Sequence, residues 1–352
     1  MCPSGLIGNN MNYRNLGRSG LKVSPLCLGT MMFGGPTDES TSGRIMARAR
    51  EAGINFIDSA DAYNNGRSEE VVGRAIAAER SWWILATKLA NPTGESPNDR
   101  GLSRRRAFLA TEASLSRLGT DVIDILYLHK EDHTTPLDET VHALADLIRQ
   151  GKVRYFGVSN FRAWRVAEIS RLCDLAGIDR PVVSQPCYNL LNRMPEVEHL
   201  PACAHYGLGV APYSPLARGV LTGKYATDHA PAGDTRAGRQ DKRIMETEWR
   251  RESLEIASEL AKHAKTLGIT PGQFALAWVL NNRIITSPIV GPRTEEQWHD
   301  YLAALDYHFT EEDEAVVDRL VVPGHASTPG YNDPQYPIEG RIVETTPRAA
   351  WR

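Results

Sequence analysis

Short apolar runs alternate with helix-like segments along most of this chain, and the runs are apolar at nearly every position rather than at every second one. A strand that is hydrophobic throughout has both faces covered, as in a parallel sheet wrapped by helices. A sheet with one wet face would alternate instead. The strand-like runs fall at residues 25–30, 55–58, 83–88, 123–129, 155–159, 182–187, 210–213 and 285–290, about eight in all, the number that closes a β/α barrel.

Between the runs, Val141, Leu144, Ala145 and Ile148 recur at helical spacing, with Gly151 where a left-handed stop is expected. Phe108, Thr111, Leu115 and Leu118 repeat the pattern behind Ser103, a fitting N-cap. Ahead of the repeat, residues 13–23 read as a hairpin turning through Gly17 and Gly20. No linker rich in Pro, Gly or Ser interrupts the series, which predicts one barrel domain over residues 12–322, a flexible tail over 1–11 and a C-terminal tail over 323–352. The loop after Tyr213 and that C-terminal tail, which carries Tyr331, Tyr336 and Trp351, depart from the rhythm and are long enough to suspect function. The tail's aromatic residues either fold over the barrel mouth, pack elsewhere or lie at a subunit contact.

At 352 residues with a formal charge of -3, the chain has no global attraction for nucleic acid or anionic lipid, and neither is expected as a partner. The opening MCPSGLIGNN has neither a basic start nor a sustained apolar run, so it reads as neither signal peptide nor anchor, and Met11 is an alternative start. Five scattered cysteines without a C-x-x-C pair predict free thiols and a cytoplasmic, reducing setting. The strand ends offer no cluster of carboxylates or histidines, so no metal site is expected.

Asp58, Lys88 and His129 each end a strand-like run, and Tyr63 lies in the loop after the second, so a barrel would gather all four on one rim. Singly each has an ordinary reading: helix cap, half-buried aromatic, solvated strand end, hydrogen-bonded core histidine. Ionisable groups ending three successive strands are harder to place in a core, because an unpaired buried charge is costly. The chemistry that suits the set is carbonyl reduction, in which hydride reaches carbon while a proton reaches oxygen. Tyr63 is the natural acid, Lys88 the ammonium that favours its phenolate, Asp58 the partner that keeps Lys88 charged, and His129 a hydrogen-bonding guide for the carbonyl.

The stretches GINFIDSADAYNNGRSEEVVGRAI, ILATK, ILYLH, GKVRYFGVSNF and YSPLARGVLTGKY resemble, in order, the signatures of the aldo-keto reductase superfamily, over residues 13–320. With PNDRGLSRRRAF the resemblance extends to the bacterial branch similar to potassium-channel β subunits. It implies an α/β fold, a (β/α)8 TIM barrel with an N-terminal hairpin, together with NADPH as cofactor and the four residues as the catalytic set. It further implies that Ser159, Asn160 and Gln185 hold the nicotinamide carboxamide and that Tyr213 stacks on the ring. Ser214, Leu216, Gly219, Leu221 and Lys224 would wrap the pyrophosphate, and Gly291, Arg293 and Gln297 would meet the adenosine phosphate. Tyr301 stands where the family commonly has an asparagine at the adenine, so Asp300 is an alternative contact there.

The absence of G-x-G-x-x-G after a strand agrees with a cofactor held outside a Rossmann fold. The basic run Arg236, Arg239, Lys242, Arg243 is either a phosphate clasp or a solvated loop. Substrate recognition falls to loops 31–33, 89–100 and 130–136, an apolar rim with polar edges around a small carbonyl compound. Two other readings stay open: an alcohol or sugar dehydrogenase working in the oxidative direction, and a binding subunit that senses NADPH and turns over slowly.

Overall fold

The computed structural model describes residues 11–225 and 229–337. An antiparallel hairpin, β1 (Arg14–Asn15) and β2 (Lys22–Val23), precedes eight parallel strands: β3 (Cys27–Gly29), β4 (Phe56–Asp58), β5 (Ile84–Leu89), β6 (Ile123–Leu128), β7 (Val153–Ser159), β8 (Val183–Gln185), β9 (Gly209–Val210) and β10 (Ile289–Val290). Their order is β10-β3-β4-β5-β6-β7-β8-β9. The ends of that series meet through a parallel bridge between Val210 and Ile285, with Thr286 N–H and Ile289 N–H donating at 2.8 Å to the carbonyls of Val210 and Pro212. The sheet is therefore a closed (β/α)8 barrel, as the alternation predicted.

Strands β8 to β10 are shorter than the apolar runs that announced them. Pro186, Pro212 and Pro288 sit inside those runs, and a residue without an N–H cannot continue a ladder. Of the expected helices, Leu137–Arg149 ends before Gly151 at φ +73°, and Arg104–Leu118 begins at Ser103, whose side chain accepts from the Arg106 N–H. The buried face of the latter helix contains the one read off the sequence but extends onto its small residues. Ala107, Ala110, Thr111, Ser114 and Leu118 are buried, while Phe108 and Leu115 are only partly covered, because small residues bring the helix close to its neighbours.

Two apolar layers result. The larger lies between sheet and helices, and the smaller fills the barrel interior with Cys27, Phe56, Ala86, Ile125, Tyr127, Val183 and Ile289, joined from below by Leu16 and Val23 of the hairpin. The hairpin thus plugs the end of the barrel where the strands begin. Gly17, at φ +57°, is required there: a Cβ would fall 2.4 Å from Gly209 N and 2.5 Å from Gly207 O. With one end plugged, the mouth lies where the strands finish, which is where Asp58 and Lys88 stand.

The described part of the C-terminal tail, residues 323–337, crosses that end. His325 O accepts from Arg193 N–H, Ser327 N–H donates to Leu191 O, and Asp333 takes two hydrogen bonds from Arg243, at 2.7 and 3.1 Å. The Arg250 guanidinium lies 3.8 Å from the Tyr331 ring centroid, and Arg162 donates to Pro337 O at 2.8 Å. Tyr336 comes near enough to Tyr213 to act on it electrostatically, whereas Tyr331 packs on Arg250. Trp351 lies outside the described residues.

Candidate active site

Strand β4 ends on Asp58 and strand β5 carries Lys88 opposite the turn that follows it, so parallel pairing alone sets the two side chains facing one another. Both are buried, with Lys88 fully inaccessible, and Lys88 Nζ donates to Asp58 Oδ2 at 2.5 Å and to Ser59 O at 2.7 Å. A buried ammonium needs such partners, since its desolvation costs several kcal/mol (~) that Coulomb attraction and hydrogen bonds must offset. The third Lys88 hydrogen bond goes to the Tyr63 hydroxyl, at 3.1 Å.

Tyr63 is aimed by a tight turn. Its N–H donates to Ala60 O, and the next three residues, Asn64, Asn65 and Gly66, all take left-handed backbone angles that Asn and Gly tolerate best. Asn64 Nδ2 then ties the turn to the first barrel loop through the carbonyls of Met31 and Phe33, at 3.0 and 2.8 Å. His129, one residue past β6, meets Tyr63 edge-on with ring centroids 6.0 Å apart. The three strand-end residues Asp58, Lys88 and His129 and the loop residue Tyr63 are therefore in one cluster.

The charges differ in one respect from the sequence expectation. Burial raises the Tyr63 hydroxyl's pKa and Asp58 adds to it, and together they outweigh the lowering by Lys88, so the phenol is held protonated. Burial also opposes the Lys88 ammonium, yet Asp58 and Tyr63 more than compensate and its pKa lies above the ordinary value. His129 is driven well below its usual pKa by burial and then by the positive charges of Lys88 and Lys130, so the ring is neutral.

Beside this cluster Ser159, Asn160, Gln185 and Tyr213 also come together. Gln185 Nε2 donates to Asp58 Oδ1 at 2.9 Å, Ser159 Oγ donates to Gln185 O at 2.8 Å, and the Tyr213 hydroxyl donates to Asn160 Oδ1 at 2.9 Å. Asn160, at φ +57°, donates in turn to His129 O at 2.9 Å. These groups are cross-linked to one another and to the tetrad.

The turn after β9 runs through left-handed Ser214, Ala217, Arg218 and Gly219. Leu216 and Leu221 are buried, and the N–H groups of Gly219 and Leu221 both donate to Leu216 O, closing the turn on itself. Those two amides are therefore committed within the turn, and Lys224 is the cation of this set. The ammonium lies against Gly219, where a Cβ would stand 2.8 Å from it. Burial lowers the Lys224 pKa, and the nearby Arg236 and Arg293 lower it further. Lys224, Arg236 and Arg293 repel one another here, with Asp234 offsetting them in part, an arrangement that a phosphate-bearing ligand would relieve.

Arg293 leaves its buried Nε without a partner among the described residues, and its backbone N–H donates to Gln297 Oε1 at 2.7 Å. Asp300 is already committed to the side chains of Thr270 and Gln273, at 2.9 and 2.8 Å, bracing the cap that Thr270 makes on the helix Pro271–Asn281; Tyr301 is buried. Gly291, two residues before Arg293, is exposed. The basic run divides. Arg236 is partly buried beside Met32, Arg243 is bound to Asp333, and Arg239 and Lys242 are exposed.

One neighbour of the tetrad was not singled out from sequence. Asn91 sits 3.1 Å from His129 Nδ1. The only signal for it was a polar residue three positions beyond Lys88, within a loop already set aside for the substrate. Among the described residues no group of His, Cys, Asp and Glu is arranged to hold a metal, and no helix is long and apolar enough to cross a membrane. Cys27, Cys173, Cys187 and Cys203 are unpaired, and Cys2 lies outside the described residues.

Set beside known proteins, the chain matches the model of the Aldo/keto reductase family over residues 25–322. It is 41% identical over 313 residues to "Uncharacterized oxidoreductase YrpG" of Bacillus subtilis (strain 168), covering 86% of this chain and 93% of that protein. It is 39% identical over 301 residues to "Probable voltage-gated potassium channel subunit beta" of Oryza sativa subsp. japonica, covering 84% of this chain and 92% of that protein. A protein of the same name from Arabidopsis thaliana is 38% identical over 301 residues. With a closed barrel, an ionisable cluster at its mouth and a family match over most of its length, this chain belongs to the aldo/keto reductase family of oxidoreductases.

Proposed function

We propose that the protein reduces aldehydes or ketones to alcohols with NADPH, using Tyr63 as the general acid. The observation that carries this reading is the buried chain Asp58–Lys88–Tyr63, in which a protonated phenol is held against an ammonium at the barrel mouth.

The cofactor fits the residues present. Lys224, Arg236 and Arg293 form a cationic patch suited to phosphate oxygens, and Ser159, Asn160, Gln185 and Tyr213 line the neighbouring wall for the nicotinamide end. Gly219 leaves room for Lys224, while Ser214, Leu216 and Leu221 shape the turn that carries it. Gly291 and Gln297 flank Arg293 on the adenosine side. When bound, the cofactor supplies the hydride.

The chain's own residues supply the rest. A carbonyl oxygen placed between Tyr63 and His129 gains negative charge as its carbon is reduced, and donors fixed in advance at that oxygen lower the barrier. Tyr63 gives up its proton to the oxygen. The resulting phenolate is stabilised by Lys88 at 3.1 Å, and Asp58 keeps Lys88 charged and in place. Tyr63 is thus unreactive at rest and a competent acid only while the oxygen is becoming basic. His129 orients the substrate, and the tail with Tyr336 narrows the opening.

In this reading residues 12–322 form one catalytic domain, residues 323–352 a tail that contributes to the mouth, and the protein works in the cytoplasm on small carbonyl compounds, with no nucleic-acid or membrane partner and no metal. A panel of aldehydes and ketones, assayed with the purified protein by loss of NADPH absorbance, tests it. Sustained turnover with at least one carbonyl is expected. Oxidation of alcohols with NADP+ alone would favour the dehydrogenase reading. The names of the plant relatives favour a second one, a channel-associated subunit that binds the nucleotide, and binding of NADPH without multiple turnover would support that instead.

A further inference from the structure

We propose that Asn91 is a positioning residue that fixes the tautomer of His129, placing the ring's single N–H on Nε2, toward the carbonyl site. This rests on the reading of His129 as the group that orients the substrate.

Asn91 Nδ2 lies 3.1 Å from His129 Nδ1, and among the described residues Asn91 is the hydrogen-bond partner of that ring. An amide nitrogen only donates, so Nδ1 must accept, and the one proton of a neutral imidazole is left on Nε2. The titratable groups around the ring come from three elements: charged Lys88 on β5, charged Lys130 on the ring's own loop, and the neutral Tyr63 phenol from the turn after β4. The two cations favour the neutral ring, and among the described residues none of the three hydrogen-bonds either of its nitrogens. Asn91 makes that choice. The opposite tautomer would set an unprotonated nitrogen against the carbonyl oxygen, lone pair against lone pair.

The backbone is bent to put Asn91 there. Ala90, fully buried, has φ +122°, a conformation that L residues with a Cβ rarely adopt. Its carbonyl is pinned by the Gly101 N–H at 2.9 Å, and Leu89 O before it accepts the His129 N–H at 2.9 Å. The strands bearing Asn91 and His129 are thus tied together at their ends, with the strain confined to the residue between Leu89 and Asn91. Strain of this kind persists where surrounding contacts over-determine a conformation, and here its product is the direction of one amide. Asn160, donating to His129 O at 2.9 Å, holds the other side of the residue.

Nitrogen-15 NMR of the imidazole rings in the purified full-length protein tests the inference, with the His129 signals assigned from their absence in His129→Gln. The expected wild-type spectrum shows a neutral ring, protonated on Nε2 and unprotonated on Nδ1, from about pH 6 to 9, since the unperturbed value of about 6.5 is displaced downward. Asn91→Asp, which replaces the donor by an acceptor, is expected to move the proton to Nδ1 and to add a histidine titration to the pH profile of kcat/KM. Asn91→Leu should lower kcat/KM by about three- to tenfold, the worth of one hydrogen bond. A wild-type ring protonated on Nδ1, with the amide turned so that its oxygen accepts, would overturn the inference. So would an Asn91→Asp spectrum with the proton still on Nε2. The wild-type spectrum decides even if a variant fails to fold. It is read without substrate, so a protein that shows the expected tautomer yet reduces no carbonyl would refute the proposed activity and leave the role of Asn91 standing.

Discussion

Lys88 Nζ reaches the Tyr63 hydroxyl at 3.1 Å from a strand that is not the one Tyr63 follows, with Lys88 on β5 and Tyr63 hanging from the turn after β4. The proton donor and the group that stabilises its anion are thus held by two separate elements whose registry is fixed by a parallel ladder. Neither can shift without disturbing the barrel.

Removing the ammonium has two separable consequences. Lys88→Met leaves Asp58 as a buried carboxylate without its partner, an arrangement that costs ~3–5 kcal/mol, and it removes the support for Tyr63, worth ~10²–10⁴ in rate. Adding Asn in place of Asp58 should restore most of the thermal stability and none of the activity. Recovery of both in the double variant would show that the pair serves the fold alone.

Arg293→Ala should weaken NADPH about 10- to 100-fold while leaving NADH nearly unchanged, because a charge-assisted hydrogen bond of ~1.5–3 kcal/mol is lost only where a 2′-phosphate accepts it. The motivation is the unpartnered Arg293 Nε beside Lys224 and Arg236. Fluorescence titration with both nucleotides measures the ratio, and equal weakening would remove Arg293 from the phosphate site.

Asp132 offers a test of the loop that frames the mouth. Burial works against its carboxylate, but hydrogen bonds from Thr134, Thr135 and the Leu102 N–H outweigh that and hold the pKa at about 2. The folded value lies below the unfolded one of about 3.9, so the group stabilises the fold above that pH and the contribution disappears as pH falls through about 2. The side chain is partly exposed, which reduces the effect to ~1 kcal/mol after solvent screening. Asp132→Asn is therefore expected to lower stability by that amount at pH 7 and by nothing near pH 2, as followed by denaturant unfolding at both. An equal loss at both would mean that shape, not charge, matters.

The barrel and its rim were legible because parallel strands covered on both faces write continuous apolar runs, and because ionisable residues at three strand ends have few places to go other than the mouth. Strand lengths were less so, since Pro186, Pro212 and Pro288 sit inside apolar runs that hydrophobicity alone extends. The face of the helix Arg104–Leu118 was legible only in part: Thr111 and Leu118 are buried and Phe108 and Leu115 pack against the core, but Ala107, Ala110 and Ser114 carry little hydrophobic signal. The sign of the Tyr63 shift depends on burial against charge, and the placement of Asn91 depends on the strained backbone of Ala90. Both are properties of three-dimensional environment, and neither leaves a local pattern. The split of the basic run was likewise hidden, because Asp333, the partner that claims Arg243, lies far along the chain in the tail.

The role of Tyr63 is tested most directly by deleting its hydroxyl alone. Purified Tyr63→Phe, with folding verified by circular dichroism and NADPH affinity by fluorescence titration, is assayed by single-turnover reduction of a carbonyl that the wild type accepts. The expected result is unchanged cofactor affinity with the hydride-transfer rate down by ~10²–10⁴, the usual worth of general acid catalysis. A variant that binds NADPH normally and reduces the substrate within about threefold of the wild-type rate, far inside that general-acid range, would contradict the assignment.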